Sequence, residues 1–154
     1  LKVYGTEKPH PDVATSYNNI GGVYHSMGKY PEAVTEFKKC LGMRLKVYGT
    51  EKPHPDVASS YVNIGGVYHS MGKYPEALTE YKKCLAIMLK VYGTEKPHPD
   101  VATSYNNIGG VYRSMGKYPE ALTEYKKCLD MELKVYGTEK PHPSVATSYN
   151  NIGG

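Results

Sequence analysis

The chain has 154 residues, 40% of them apolar and 22% charged, with a net charge of +4 at pH 7. That is the size of one domain, and no apolar run approaches the roughly 20 residues of a membrane-spanning helix. The first residues do not form a signal peptide, so nothing addresses the chain to a membrane or a secretory route, and a soluble cytoplasmic protein is expected.

From Val3 onward the sequence returns every 44 residues, reopening at Val47, Val91 and Val135. Units 3–46 and 47–90 differ at seven positions, and units 47–90 and 91–134 at six. A half unit, 135–154, follows. Copies this alike were either multiplied recently or written from a consensus. Residues 1–154 are therefore expected to form a single array, in which each unit buries its apolar face against its neighbours rather than in one closed core.

Taken in chain order, Leu1–Tyr4 repeat the end of a unit and read as the tail of a second helix. The first full helix is expected from Pro11 to Met27. Its Val13, Tyr17, Ile20, Tyr24 and Met27 are spaced by four, three, four and three, which keeps them on one face. His10, Pro11 and Asp12 mark its start, since proline fits the first turn and an acid favours the positive helix end. Gly28 is expected to close it as a left-handed cap.

A second helix should open at Pro31 and stop near Gly49, where GTEKPHP gathers helix breakers. It should carry Ala33, Phe37, Cys40, Leu41, Leu45 and Tyr48 inward and Thr35, Lys38, Lys39 and Lys46 outward. The positions that vary between copies, Gly42, Ala86 and Asp130 with Arg44, Met88 and Glu132 in part, are expected on that outer wall.

Gly21 and Gly22 stand in mid-helix, where each costs about 1 kcal/mol relative to Ala. For Gly21 the expected compensation is close contact with the second helix beside Ala33. For Gly22, either adjacent first helices approach closely or a bound backbone does.

Tyr17, Ile20, Gly21, Tyr24, Ala33 and Phe37 resemble the tetratricopeptide signature, with Tyr for its Trp and Ile for its Leu. The same six positions recur as Tyr61, Ile64, Gly65, Tyr68, Ala77 and Tyr81, and as Tyr105, Ile108, Gly109, Tyr112, Ala121 and Tyr125. The unit is longer than the family's 34 residues and lacks its proline after the second helix, so that helix should run on by two or three turns. In this respect the chain is similar to the long repeats of kinesin light chains. The resemblance implies an all-α right-handed solenoid of about 3.5 helical hairpins. It also implies a non-catalytic protein-interaction scaffold, whose first helices line a concave groove.

The groove positions opposite the core stripe are then Thr15, Asn18, Asn19, Gly22, His25 and Ser26, with their equivalents in later units. Asn19, Asn63, Asn107 and Asn151 form a ladder whose carboxamides can pair with the amides of an extended peptide. With roughly 10 Å per repeat and about 3.3 Å per extended residue, each would meet about every third ligand residue. Asn18, Asn106 and Asn150 add a second column, interrupted by Val62, which can seat an apolar side chain. His25, His69 and Arg113 form a third that suits an acidic ligand residue. Against this stands the reading that the asparagines bridge adjacent units or are simply solvated. The chaperone-tail binders of the family use a lysine-rich clamp on this face; here no groove position is Lys.

No catalytic residues are assigned, because no nucleophile is paired with a base and no phosphate-binding glycine loop is present. No cofactor is expected. Cys40, Cys84 and Cys128 occupy one repeat position, too far apart for a disulfide or a metal site, and read as buried core residues. The lysine pairs alternate with Glu32, Glu36, Glu80 and Glu124, which favours a solvated wall over nucleic-acid binding. Apolar stacking faces at the terminal repeats, Val145, Tyr149 and Ile152 among them, lead us to expect self-association into a homo-oligomer. The main alternative function is a structural or consensus-like array that folds and stacks without a dedicated ligand.

Overall fold

The computed structural model describes residues 8–138 and 141–153; the sequence expectations at Leu1–Tyr4 and Gly154 lie outside them. Seven α-helices follow in order: α1 Pro11–Ser26, α2 Tyr30–Tyr48, α3 Pro55–Ser70, α4 Tyr74–Tyr92, α5 Pro99–Ser114, α6 Tyr118–Tyr136 and α7 Pro143–Gly153. They form three hairpins and the first helix of a fourth, with no strand among the described residues.

Local chemistry sets the boundaries. The imidazole Nδ1 of His10 accepts the backbone N–H of Asp12 at 3.0 Å, capping the helix that begins at Pro11. His54, His98 and His142 repeat the bond on α3, α5 and α7. At the other end Gly28 takes φ +75°, and the Lys29 N–H reaches back to the Tyr24 carbonyl at 2.9 Å, so the chain reverses where only glycine turns freely. The helix stops at Ser26, one residue before the expected end, and α2 begins one residue before Pro31.

The core lies between units. Ala33 and Phe37 of α2 pack with Ile64 and Val67 of α3, and Ala77 and Tyr81 of α4 pack with Ile108 and Val111 of α5. The dependence on a neighbour is visible within one sequence pattern: Ile64 and Val67 are 1% and 0% exposed, whereas the same residue types at Ile20 and Val23 of α1 are 44% and 59% exposed. Burying such a side chain contributes about 1.5–3 kcal/mol, so a unit gains much of its stability only when another stands beside it.

The linkers are also fixed. Tyr48 stacks on His54 with ring centroids 3.5 Å apart, and its hydroxyl donates to Asp56 Oδ2 at 2.8 Å. That hydrogen bond, with burial and the carboxylate charge, pushes the Tyr48 hydroxyl above its usual range. Tyr92, His98 and Asp100 repeat the clasp; Tyr136 stacks on His142, but Ser144 stands where the carboxylate would be.

All three cysteines are free and buried, each within 3.8 Å of a serine hydroxyl on the following helix, Ser60, Ser104 or Ser148. Burial pushes the Cys84 thiol up and the Cys128 thiol up to about 11. On the outer wall Lys39, Lys83 and Lys127 pair with Glu36, Glu80 and Glu124 at 2.9–3.3 Å, the interspersed charge the sequence suggests.

Arg44, Met88 and Glu132 do not belong to that wall. Met88 and Glu132 are only 7% and 6% exposed, and Arg44 crosses to α3. The reason is spacing: Ala33, Phe37, Cys40 and Arg44 follow intervals of four, three and four, so the variable residue continues the core stripe.

The glycine pair divides sharply. A Cβ on Gly21 would lie 2.7 Å from the Phe37 ring, and one on Gly65 would lie 2.9 Å from the Tyr81 ring and 3.4 Å from the Ala77 carbonyl oxygen. Gly22 has nothing within 4 Å, and Gly66 meets only the Tyr81 hydroxyl at 3.7 Å. Close approach of neighbouring first helices therefore does not explain the second glycine. In urea titrations, Gly66→Ala is expected to raise stability by up to about 1 kcal/mol. Gly65→Ala should lower it, because the buried Tyr81 ring has to move. Equal effects at the two positions would contradict this account.

Candidate functional site

The positions expected to line a groove all come from first helices, whose opposite face is committed to the core. Among the expected site residues, Asn19, Arg113 and Asn150 are exposed, while Asn18, His25, Val62, Asn63, His69, Asn106, Asn107 and Asn151 are half-buried. The structure places them in columns running from unit to unit, and it joins several of them directly.

Asn63 Nδ2 donates to Asn18 Oδ1 at 2.8 Å, and Asn151 Nδ2 donates to Asn106 Oδ1 at 2.9 Å. The second column thus accepts from the first column of the next unit. At the middle junction Val62 removes that acceptor, and the Asn107 carboxamide has no hydrogen-bond partner among the described residues. The third column is also linked: His25 Nε2 lies 2.9 Å from Ser70 Oγ and His69 Nε2 lies 2.8 Å from Ser114 Oγ. Each ring meets a tyrosine edge, Tyr30 or Tyr74, at about 5.7 Å between centroids. Part of the polar face therefore fixes the register of neighbouring hairpins. A paired Asn63 or Asn151 keeps its second N–H and its carbonyl oxygen for other use.

Beside these columns the surface between units changes from junction to junction. At the first, Arg44 Nη1 donates to the Asp56 carbonyl at 2.8 Å, Ser59 Oγ at 3.0 Å and Ser60 Oγ at 2.9 Å, filling the space between α2 and α3. At the second, Val62, Cys84 and Met88 floor an opening of ≈ 340 Å³ rimmed by Asp56, Ser59, Asn63, Asp100, Thr103 and Asn107. At the third, Glu132 lies in an opening of ≈ 170 Å³ with Thr103, Asn106, Ser144, Thr147 and Ser148. The sequence reading missed this row. Its signal was the unbroken spacing from Ala33 to Arg44, masked by the charge on two of the three residues.

The described residues contain no group of three or more His, Cys, Asp or Glu side chains placed to hold a metal ion. None of their helices is long and apolar enough to cross a membrane.

The sequence profile described as tetratricopeptide repeat matches residues 12–90, 56–134 and 100–154, overlapping windows that each take in neighbouring units. The chain belongs to the tetratricopeptide repeat family. Tetratricopeptide repeats generally mediate protein–protein interaction. None of the curated proteins matches the sequence.

Solved structures share the fold. BtubC (BKLC) from P. vanneervenii aligns with a TM-score of 0.76 at 23% identity, over 88% of this chain and 52% of that one. A putative kinesin light chain with nearly identical repeats from Podosopora anserina aligns with a TM-score of 0.75 at 21% identity, over 93% of this chain and 65% of that one. The present chain thus spans between half and two-thirds of the length of these two structures. The first tetratricopeptide domain of Spaghetti (RPAP3), bound to the HSP90 peptide SRMEEVD, aligns with a TM-score of 0.61 at 16% identity over 95% of this chain and 94% of that one.

The amide links generate a stability test. Asn63→Ala is expected to cost about 0.5–1.5 kcal/mol, the net worth of one hydrogen bond, and to couple with Asn18→Ala in a double-mutant cycle. Asn107→Ala, which breaks no such link, should leave the urea midpoint nearly unchanged.

Proposed function

We propose that this tetratricopeptide array is a non-enzymatic scaffold whose concave face holds an extended peptide segment. The observation that carries the reading is the middle junction. Asn107 keeps its whole carboxamide there, on the rim of an opening of ≈ 340 Å³ and one turn before Gly110, where a Cβ would meet only the Tyr125 hydroxyl at 3.9 Å. A carboxamide that offers donors and an acceptor suits a peptide group of any sequence. Gly110 lets that group come close to the helix surface. Asn19, Asn63 and Asn151 extend the ladder, the last two through their remaining N–H and carbonyl, while Asn18, Asn106 and Asn150 flank it. His25, His69 and Arg113 lie on the far side of the glycines and receive acidic residues of the ligand. That another tetratricopeptide domain of the same fold holds a peptide supports the assignment. The three unbridged thiols suit a reducing, cytoplasmic setting.

The reading is tested by screening a peptide library against the chain and titrating the recovered peptides by fluorescence anisotropy. Asn107→Ala should weaken binding roughly two- to tenfold, the equivalent of about 0.5–1.5 kcal/mol for the hydrogen bonds removed. Unchanged affinity for every recovered peptide would reject the groove.

A second reading concerns the ends of the array. Ile20, Val23 and Met27 of α1 are 44%, 59% and 57% exposed, and Tyr118 and Tyr149 at the other end are 66% and 56% exposed. In internal units the equivalents of the first three cover the preceding hairpin. We propose that these faces associate with other copies at high concentration. Sedimentation should show a concentration-dependent increase in mass that Val23→Glu suppresses; a monomer at every concentration would count against it.

A further inference from the structure

The three junction residues Arg44, Met88 and Glu132 occupy one repeat position with three different chemistries, in units that are otherwise nearly the same. Arg44 closes its junction with three hydrogen bonds. Met88 is uncharged and, with Val62 in place of an asparagine, leaves an opening with an apolar floor. Glu132 is 94% buried by the measure of its 6% exposure, and its Oε1 accepts from Ser148 Oγ and Cys128 Sγ. Its Oε2 has no hydrogen-bond partner, and no Lys, Arg or His pairs with it, among the described residues. Oε2 is not sealed from solvent but faces the adjoining opening, where a cation that reaches it can form a charge-assisted hydrogen bond. The opening is lined, besides Glu132, by the hydroxyls of Thr103, Ser144, Thr147 and Ser148, the Asn106 amide and the Cys128 thiol, with no positive group.

Resting on the reading that the concave face holds an extended peptide, we propose that this groove selects a segment with an apolar side chain for the Val62–Met88 opening and a lysine or arginine for Glu132. Successive junctions lie roughly 10 Å apart, the separation of neighbouring packed helices, and a chain in the extended polyproline II conformation advances about 3.1 Å per residue and returns a side chain to the same face every third residue. The two side chains are therefore three residues apart, apolar-x-x-basic or its reverse according to the direction of the bound chain. The cationic head binds Glu132 Oε2, and its hydrogens reach Thr147 and Asn106 on the rim. At the first junction the Arg44 guanidinium already occupies the corresponding space, so that junction takes no large side chain.

The test uses labelled ten-residue peptides of Ser, Thr and Gly carrying Leu-x-x-Arg or Arg-x-x-Leu, with matched peptides in which Arg becomes Glu or Leu becomes Ser. One of the two orders should bind about ten- to a hundredfold more tightly than its Glu counterpart, as expected for a charge-assisted hydrogen bond. Glu132→Gln should remove that preference by weakening the Arg peptide, while the Glu peptide binds no more weakly than before. Met88→Arg, which fills the apolar opening as Arg44 fills its own, should remove the preference for Leu while retaining that for Arg. Thermal melts confirm that both variants remain folded. Equal affinity for Arg and Glu peptides in both orders, or an Arg preference that survives Glu132→Gln, overturns the proposal. If library peptides still depend on Asn107 in that case, the groove stands and only the selection rule falls. If they do not, the groove itself has failed.

Discussion

A hairpin of this chain cannot satisfy its own apolar surface. Phe37 and Ala33 need Ile64 and Val67 from the next unit, just as Tyr81 and Ala77 need Ile108 and Val111. Each such side chain packs on its own first helix but is fully covered only on contact with its neighbour, so the array is held by nearest-neighbour terms and has no central core. Everything else follows from this constraint. The first helix gives one face to the stack and is left with the other for polar residues. Gly21, Gly65 and Gly109 are required because an aromatic ring of the second helix lies where a methyl group would be.

The same constraint explains why the polar face is not wholly free. Stacked units bring Asn18 and Asn63, or His25 and Ser70, within hydrogen-bond reach, and residues placed there can set register as well as meet a ligand. Where a copy departs from the pattern, as Val62 does, the link is lost and the carboxamide opposite becomes available. Deviations between copies therefore change which polar groups are left unpaired on this face, and the period itself mainly encodes stacking.

The period, the helix limits to within one residue and the tetratricopeptide family were legible because each rests on local or periodic signals: proline and histidine at the helix start, glycine at its end, apolar spacing between. The buried cysteines were legible for the same reason. The pairing of asparagines was not, because Asn18 and Asn63 lie 45 residues apart and the pattern of one helix does not show which of its columns approaches the next. Arg44 and Glu132 were misplaced because their charge suggested solvent, although their spacing from Ala33 and Cys40 pointed inward. Ile20 was expected in the core; its position on the helix is right, but at the first hairpin no described helix covers it.

The clasp between Tyr48, His54 and Asp56 carries a consequence for how such a chain changes over time. Ring stacking at 3.5 Å and a hydroxyl–carboxylate bond set the angle at which one hairpin leaves the last, and every ingredient lies within twenty residues of the junction it controls. The superhelical step is thus written into each segment separately. A unit of 44 residues added or removed would bring or take its own clasp with it, leaving the clasps on either side in place.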